Sequence, residues 1–121
     1  MLLDSNIIIY SIQPNNKQLR EFIAEELPCV SAISYVEVLG YHNLPIAQKL
    51  ELEIFFQATK TFPVSSEIID AAVALRQNRK MSLGDAIIAG TALTHDKTLV
   101  TRNVRDFQWI EGLRLYNPIN D

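Results

Sequence analysis

The chain has 121 residues, a formal net charge of −3 and 48% hydrophobic side chains. This length predicts one domain over residues 1–121, with a core large enough to fold without disulfides. One cysteine and two histidines exclude an internal disulfide and a zinc site made of those residues. A reducing, cytoplasmic location is expected, with neither a signal peptide nor a membrane span.

The N-terminal part predicts short apolar strands alternating with helices. The first strand is followed at once by Asp4. A later amphipathic segment places Leu19, Phe22, Ile23 and Leu27 on one helical face. In chain order, the predicted elements are strand Leu2–Leu3, helix Ser5–Gln13, helix Lys17–Leu27, strand Cys29–Ser31, helix Ser34–Leu44 and helix Ile46–Ala58.

The C-terminal part continues the alternation. Ile68, Ala71, Ala72 and Leu75 share one helical face, and an alanine-rich helix follows. In chain order, the predicted elements are strand Lys60–Val64, helix Glu67–Arg79, helix Leu83–Thr94, strand Thr98–Thr101 and a final strand Leu113–Tyr116. The alternation predicts an α/β fold with a mostly parallel central sheet and helices on both faces. Ligand sites in such sheets lie at the carboxyl ends of the strands.

Three acidic residues stand at ends of these predicted elements: Asp4, Glu37 and Asp85. Each has a structural explanation when taken alone. Asp4 is placed to cap the helix that follows it, and both Ser34-x-x-Glu37 and Ser82-x-x-Asp85 match capping boxes. Taken together they predict a metal site, since close carboxylates repel one another unless a cation lies among them. Oxygen ligands of this kind suit Mg²⁺ or Mn²⁺ and phosphodiester chemistry.

Four stretches of the chain form a recognisable pattern, and three of them contain these acids: Leu2-Leu3-Asp4-Ser5-Asn6, the segment 31–40 (SAISYVEVLG), the segment 84–92 (GDAIIAGTA) and the segment 99–107 (LVTRNVRDF). In this order and spacing they resemble the PIN domain, and within it the VapC-type toxins of toxin–antitoxin pairs. The segment from Gly112 to Pro118 also fits. The resemblance implies a three-layer α/β/α fold and an endoribonuclease that depends on Mg²⁺ or Mn²⁺.

The resemblance also assigns roles to individual residues. Asp4, Glu37 and Asp85 match the family's acidic positions and would hold the metal. Asn103 completes the catalytic set where many members carry a fourth acid, so the charge there is lost. The resemblance assigns supporting roles to Ser5, Asn6, Thr101 and Asp106. It assigns contacts with the RNA backbone to Arg102 and Arg105.

Several alternatives remain open from the sequence. His42 and His95 allow acid–base catalysis without metal. A phosphatase that begins with a strand and Asp4 would need a second Asp where Asn6 stands. A catalytically weak PIN-like module that binds RNA or protein is the main competing function. Trp109 and Phe107 are predicted packing residues, with base stacking as a second interpretation.

The expected partners follow from the resemblance. They are an RNA substrate, a small cognate antitoxin and a second copy of the chain in a homodimer. The segments Lys17–Leu27 and Ser34–Phe56 are the predicted contact faces. No membrane is expected among the partners.

Overall fold

The computed structural model of the chain describes residues 1–119. The predicted single domain over 1–121 therefore includes two residues outside the described part. Within residues 1–119, five short strands form one sheet in which every neighbouring pair is parallel. The strands are β1 (Leu2–Leu3), β2 (Cys29–Ser31), β3 (Lys60–Phe62), β4 (Leu99–Val100) and β5 (Leu115–Tyr116), in the order β3-β2-β1-β4-β5.

Helices connect and cover these strands. They are α1 (Ser5–Ser11), α2 (Lys17–Glu26), α3 (Ala32–Leu39), α4 (Ile46–Ala58), α5 (Ser66–Asn78), α6 (Leu83–Thr94) and the short α7 (Val104–Phe107). No helix within residues 1–119 is both long and apolar enough to cross a membrane.

The alternating strand residues separate two cores. Leu2, Cys29 and Leu99 point to one side, where they pack with residues of α5, α6 and α7. Leu3, Val30 and Val100 point to the other, where they pack with residues of α1 to α4. Because successive strand side chains face opposite ways, two-residue strands suffice to join both layers. The predicted three-layer α/β/α fold is confirmed.

Gly90 allows α5 and α6 to approach closely in the first of these layers. A Cβ atom at this position would lie 3.0 Å from the carbonyl oxygen of Ile68. Such a separation is tighter than ordinary van der Waals contact. The absence of a side chain at Gly90 thus permits α6, the helix that carries Asp85, to pack closely against α5.

The structure differs from several of the predicted elements: the helix predicted over Ser5–Gln13 ends at Ser11, and the strands predicted over Lys60–Val64 and Leu113–Tyr116 are shorter. Three further differences have physical reasons. The helix predicted over Ser34–Leu44 begins at Ala32, because Ser31 caps its start, and it ends at Leu39, where Gly40 is the C-cap and glycine disfavours continuation of a helix. Leu27 is not on the buried face of α2: it follows the helix in a left-handed conformation (φ 47°) and is 85% exposed. The short α7 was not predicted, because four residues give too little periodicity.

Candidate active site

The site lies where the chain reverses direction across the sheet. From β1 the chain adds β2 and β3 on one side and then returns to add β4 on the other. In open parallel sheets this change of direction opens a crevice at the carboxyl ends of the two strands. Asp4 follows β1 and Thr101 follows β4, so both residues stand at the edge of that crevice.

Asp4 and Thr101 are joined across the crevice. The Thr101 hydroxyl donates to Oδ2 of Asp4 at 2.8 Å and accepts the backbone N–H of Asn103 at 3.0 Å. Thr101 is fully buried, and Asp4 is 3% exposed. Asp4 occupies the N-cap position of α1, but its side chain makes no capping hydrogen bond. The capping interpretation of Asp4 therefore does not account for its carboxylate.

The surroundings of Asp4 disfavour the charged form of its carboxyl group. Burial raises its pKa to about 6, and the nearby Asp85 and Glu37 carboxylates add to this effect. The hydrogen bonds from Thr101 and from the Ser5 amide act in the opposite direction without cancelling it. None of the ion pairs among residues 1–119 involves Asp4, Glu37 or Asp85. The negative charge is thus not balanced by a side chain within that part of the structure.

Glu37 is held by α1. Its Oε1 accepts a hydrogen bond from the Ser5 hydroxyl at 2.7 Å, and Ser5 Oγ also lies 2.9 Å from Ser34 Oγ. The capping-box interpretation of Glu37 is wrong, because Ser31 caps α3 and Ser34 lies buried inside the helix. Ser34 was overlooked as a site residue, since its position in the S-x-x-E pattern suggested only a cap.

Gly84 supports Glu37 from the opposite side. A Cβ atom at Gly84 would overlap Oε2 of Glu37 and lie 2.9 Å from its Cδ. The Glu37 carboxylate therefore rests against bare backbone at the start of α6. Because Gly84 immediately precedes Asp85, this contact places Glu37 close to Asp85 at the start of α6.

Asp85 combines a structural and an electrostatic role. Ser82 caps α6 by accepting the N–H of Asp85 at 3.1 Å, so the capping motif predicted there is present. Burial raises the pKa of Asp85, the Ser82 hydrogen bond lowers it, and the Asp106 and Glu37 carboxylates raise it. Asp106 thus adds a fourth negative charge beside the three predicted acids.

The remaining predicted residues lie at the margin. Asn103 is exposed at the start of α7 with no capping hydrogen bond from its side chain. Asn6 is also exposed and makes no hydrogen bond to a carboxylate within residues 1–119, so its supporting role stays a prediction. Arg102 places its guanidinium 5.5 Å from the Tyr10 ring centroid, whereas Arg105 lines a cleft with Asp85.

The two histidines lie apart from these acids. His95 caps the end of α6 and stacks on Phe62 with 3.8 Å between ring centroids. Ten residues of helix, about 15 Å, separate it from Asp85. His42 is exposed and packs against Tyr41. Neither ring takes part in the described site, which leaves the carboxylates as its ionisable groups.

The donor set suits a hard divalent cation. Carboxylate and hydroxyl oxygens are the ligands that Mg²⁺ and Mn²⁺ prefer, and a cation would offset both the burial and the carboxylate repulsion that raise the pKa of Asp4 and Asp85. Within residues 1–119, however, no three Asp, Glu, His or Cys side chains are already arranged as a metal-binding group. The residues fit the ion in chemistry, and their side chains would have to converge further around it.

A parallel α/β domain with acids at its sheet crevice is suited to metal-assisted chemistry on phosphodiesters. Comparison with known families makes this specific: the PIN domain model matches residues 1–112. The chain therefore belongs to the PIN domain family.

Individual relatives cover almost the whole chain. The curated "tRNA(fMet)-specific endonuclease VapC" of Shigella flexneri is 26% identical over an alignment 129 positions long, gaps included, that covers 93% of each protein. A toxin–antitoxin complex from Klebsiella pneumoniae contains a chain that is 29% identical, with a TM-score of 0.80 and 99% and 98% of the two chains covered. VapBC-1 from nontypeable Haemophilus influenzae is 26% identical with a TM-score of 0.78, and 96% of each chain is covered.

Proposed function

We propose that this chain is a divalent-metal-dependent endoribonuclease and the toxin of a VapBC-type toxin–antitoxin pair. The observation that carries the proposal is the cluster of Asp4, Glu37 and Asp85: the pKa values of Asp4 and Asp85 are raised, and no cationic side chain within residues 1–119 forms an ion pair with any of the three. Family membership and similarity to a VapC endonuclease support it. A single domain over residues 1–121 and a cytoplasmic location are part of the proposal.

Asp4, Asp85 and Glu37 would hold Mg²⁺ or Mn²⁺. When bound, such an ion supplies Lewis-acid polarisation of the phosphodiester and lowers the pKa of water. Thr101 fixes the orientation of the Asp4 carboxylate, and Ser5 fixes that of Glu37. Glu37 is exposed and is therefore placed to accept a proton from attacking water. Asn103 and Asp106 complete the margin of the site.

Metal removal tests the enzymatic part of this proposal. EDTA is expected to abolish cleavage of a mixed RNA substrate, and added Mg²⁺ or Mn²⁺ is expected to restore it. The reason is that the described site offers carboxylates and no histidine for metal-free catalysis. Cleavage would be followed by gel electrophoresis of end-labelled RNA. Cleavage that continues in EDTA would favour the alternative of metal-free acid–base catalysis by His42 or His95, whereas no specific Mn²⁺ binding by calorimetry would favour the alternative of a weak PIN-like binding module.

We further propose that a small cognate antitoxin is the protein partner. The similar chains in the Klebsiella and Haemophilus structures belong to a toxin–antitoxin complex and to VapBC-1. In this chain a cleft of about 530 Å³ between α2 and α4 exposes apolar side chains, including Leu27 and Ile54. Arg20, Glu51 and Lys60 add charges to its lining. An amphipathic helix suits a groove of this composition.

A pair of variants on α4 tests this interface. Ile54→Glu is expected to weaken binding of the antitoxin by at least about tenfold, because it buries an unpaired charge in the cleft, while RNA cleavage is retained. Ile46→Glu is the matched control: Ile46 is 77% exposed on the same helix and does not line the cleft. The partner would be the product of a short reading frame adjoining the gene, with binding measured by calorimetry. Equal binding by both variants would place the antitoxin elsewhere.

A homodimer is also proposed. Beyond the predicted faces on α2 and α3–α4, the structure exposes a second apolar surface, which Ile69, Val73 and Leu83 line where α5 meets the start of α6. Exposed apolar patches of this kind are typical of protein–protein contacts. Sedimentation equilibrium of the purified chain would measure the association.

A further inference from the structure

A cleft of about 290 Å³ begins at Asp85 and runs away from the acidic cluster. Its wall combines residues from the end of α5, the start of α6 and α7. The lining residues are Arg79, Lys80, Met81, Ser82, Asp85, Arg105, Asp106 and Trp109. Three cationic side chains and an indole thus adjoin a predicted metal ligand. The sequence suggests RNA contacts for Arg105 and stacking for Trp109, but not their association with Arg79 and Lys80 in one cleft.

The cations of this cleft are available to a ligand. Lys80 and Arg105 are exposed, and neither forms an ion pair with a carboxylate within residues 1–119, although Asp85 and Asp106 line the same cleft. A phosphate would therefore not have to displace a protein carboxylate from either cation. Because single strands bind mainly through their phosphates, this end of the cleft is suited to the backbone of RNA.

The aromatic side of the cleft is already organised for stacking. The Arg79 guanidinium lies 4.9 Å from the Trp109 ring centroid. The indole N–H donates to the backbone carbonyl of Asp106 at 2.9 Å, which fixes the plane of the ring. Unpaired RNA bases stack on aromatic rings and on guanidinium planes. The pair therefore offers a stacking platform beside the phosphate-binding cations.

We propose that this cleft binds the nucleotide that flanks the scissile phosphate, with its phosphate on Lys80 and Arg105 and its base on the Trp109–Arg79 pair. This inference rests on the proposed ribonuclease function, because Asp85 is shared by the two sites. The cleft has room for one nucleotide. It would set the path of single-stranded RNA into the active site and would favour unpaired segments over duplex.

Trp109 is the single tryptophan of the chain, so its fluorescence reports on this cleft directly. A short single-stranded RNA oligonucleotide of mixed sequence, added to the wild-type protein in EDTA, is expected to quench the emission in parallel with binding measured by anisotropy. The corresponding duplex is expected to quench it much less. Binding by anisotropy without a fluorescence change would place the RNA outside the cleft and overturn the proposal.

Charge removal provides the second measurement. The double variant Lys80→Gln and Arg105→Gln is expected to lower the slope of log K against log salt by about 0.7, since the two cations share one phosphate and each neutralised phosphate of a single strand contributes about 0.7. The control variant Lys17→Gln and Lys49→Gln removes the same charge from exposed residues of α2 and α4 outside the cleft. An equal change in the two double variants would indicate a general charge effect and contradict the proposal.

Replacement of Trp109 by an aliphatic residue and by another aromatic residue tests the role of the indole. Trp109→Leu is expected to raise KM for RNA about tenfold or more with little change in kcat, because stacking contributes to binding. Trp109→Phe is expected to restore most of the affinity. Since Trp109 also packs against the core, thermal unfolding of both variants identifies any loss of fold. If every cleft variant cleaves RNA with an unchanged KM, the proposed role of the cleft is refuted and the proposed ribonuclease function is not. If RNA quenches the fluorescence but is not cleaved with any metal, the ribonuclease function is refuted and RNA binding in the cleft is not.

Discussion

Asp4→Asn is expected to abolish RNA cleavage and, in the absence of metal, to make the folded protein more stable at neutral pH. Asparagine keeps an oxygen that accepts the Thr101 hydroxyl and is an equally good N-cap residue, but it removes the buried charge. The pKa of Asp4 is about 6 in the folded protein against 3.8 for the ordinary side chain. That difference corresponds to a cost of about 3 kcal/mol once the group is ionised in both states.

The sign of the pH dependence follows from the raised pKa. Below pH 3.8 the carboxyl group is protonated in both the folded and the unfolded chain, so it costs nothing. As the pH rises from there to about 6, the unfolded chain ionises first and stability is lost; above that range the loss is complete. The advantage of Asp4→Asn should therefore be small at pH 4 and reach up to about 3 kcal/mol at pH 7.

Urea unfolding in EDTA at the two pH values measures this advantage directly. Asp70→Asn is the matched control, because it removes one carboxylate from the exposed surface of α5 and should change neither cleavage nor the pH profile. An advantage that is the same at both pH values would show that burial of the charge is not its cause. Cleavage at the wild-type rate by Asp4→Asn would remove Asp4 from the catalytic group.

Gly84→Ala is expected to lower kcat/KM by about tenfold to a hundredfold, the range that small misplacements of catalytic groups produce. The new methyl group would occupy the space of the Glu37 carboxylate and push it away from Ser5. Stability should stay equal or rise slightly, since Gly84 has a helical position with no positive φ, where alanine is favoured by about 0.5–1 kcal/mol. Initial rates and urea midpoints would be measured on the same preparations.

A double-mutant cycle shows whether the effect passes through Glu37. If it does, Gly84→Ala should have no further effect on activity in a Glu37→Ala background. Additive losses in the double variant would mean that the methyl group disturbs Asp85 or the substrate instead. Either result distinguishes an effect on the position of the Glu37 carboxylate from an effect on the stability of α6.

The sequence allowed prediction of the layers from the alternation of strands and helices, and of the site from the residues at the ends of the strands. Alternating strands and helices predicted the layers, and the rule that sites lie at carboxyl ends of parallel strands predicted where Asp4 and Thr101 would meet. Family membership then confirmed the resemblance in the four motifs. The catalytic roles of the individual residues remain predictions.

Other features depend on tertiary contacts that local patterns do not encode. Ser34 was interpreted as a cap because the true cap, Ser31, ends a strand and begins a helix without an intervening loop. The contact of Gly84 with Glu37 joins residues 47 positions apart in the sequence. The cleft at Trp109 requires the end of α5 to lie beside α7, which no single segment specifies.

The hydrogen bond between Thr101 and Asp4 spans 97 positions of the sequence and therefore has a consequence for synthesis. A ribosome makes β1 first, but the crevice does not exist until β4 has been made and has docked beside it. Asp85, Thr101 and Asp106 all belong to the last third of the chain. On the proposed assignment of the site, partially synthesised chains carry the first acid without the rest of the centre, and nuclease activity would begin only when the C-terminal segment has emerged and folded.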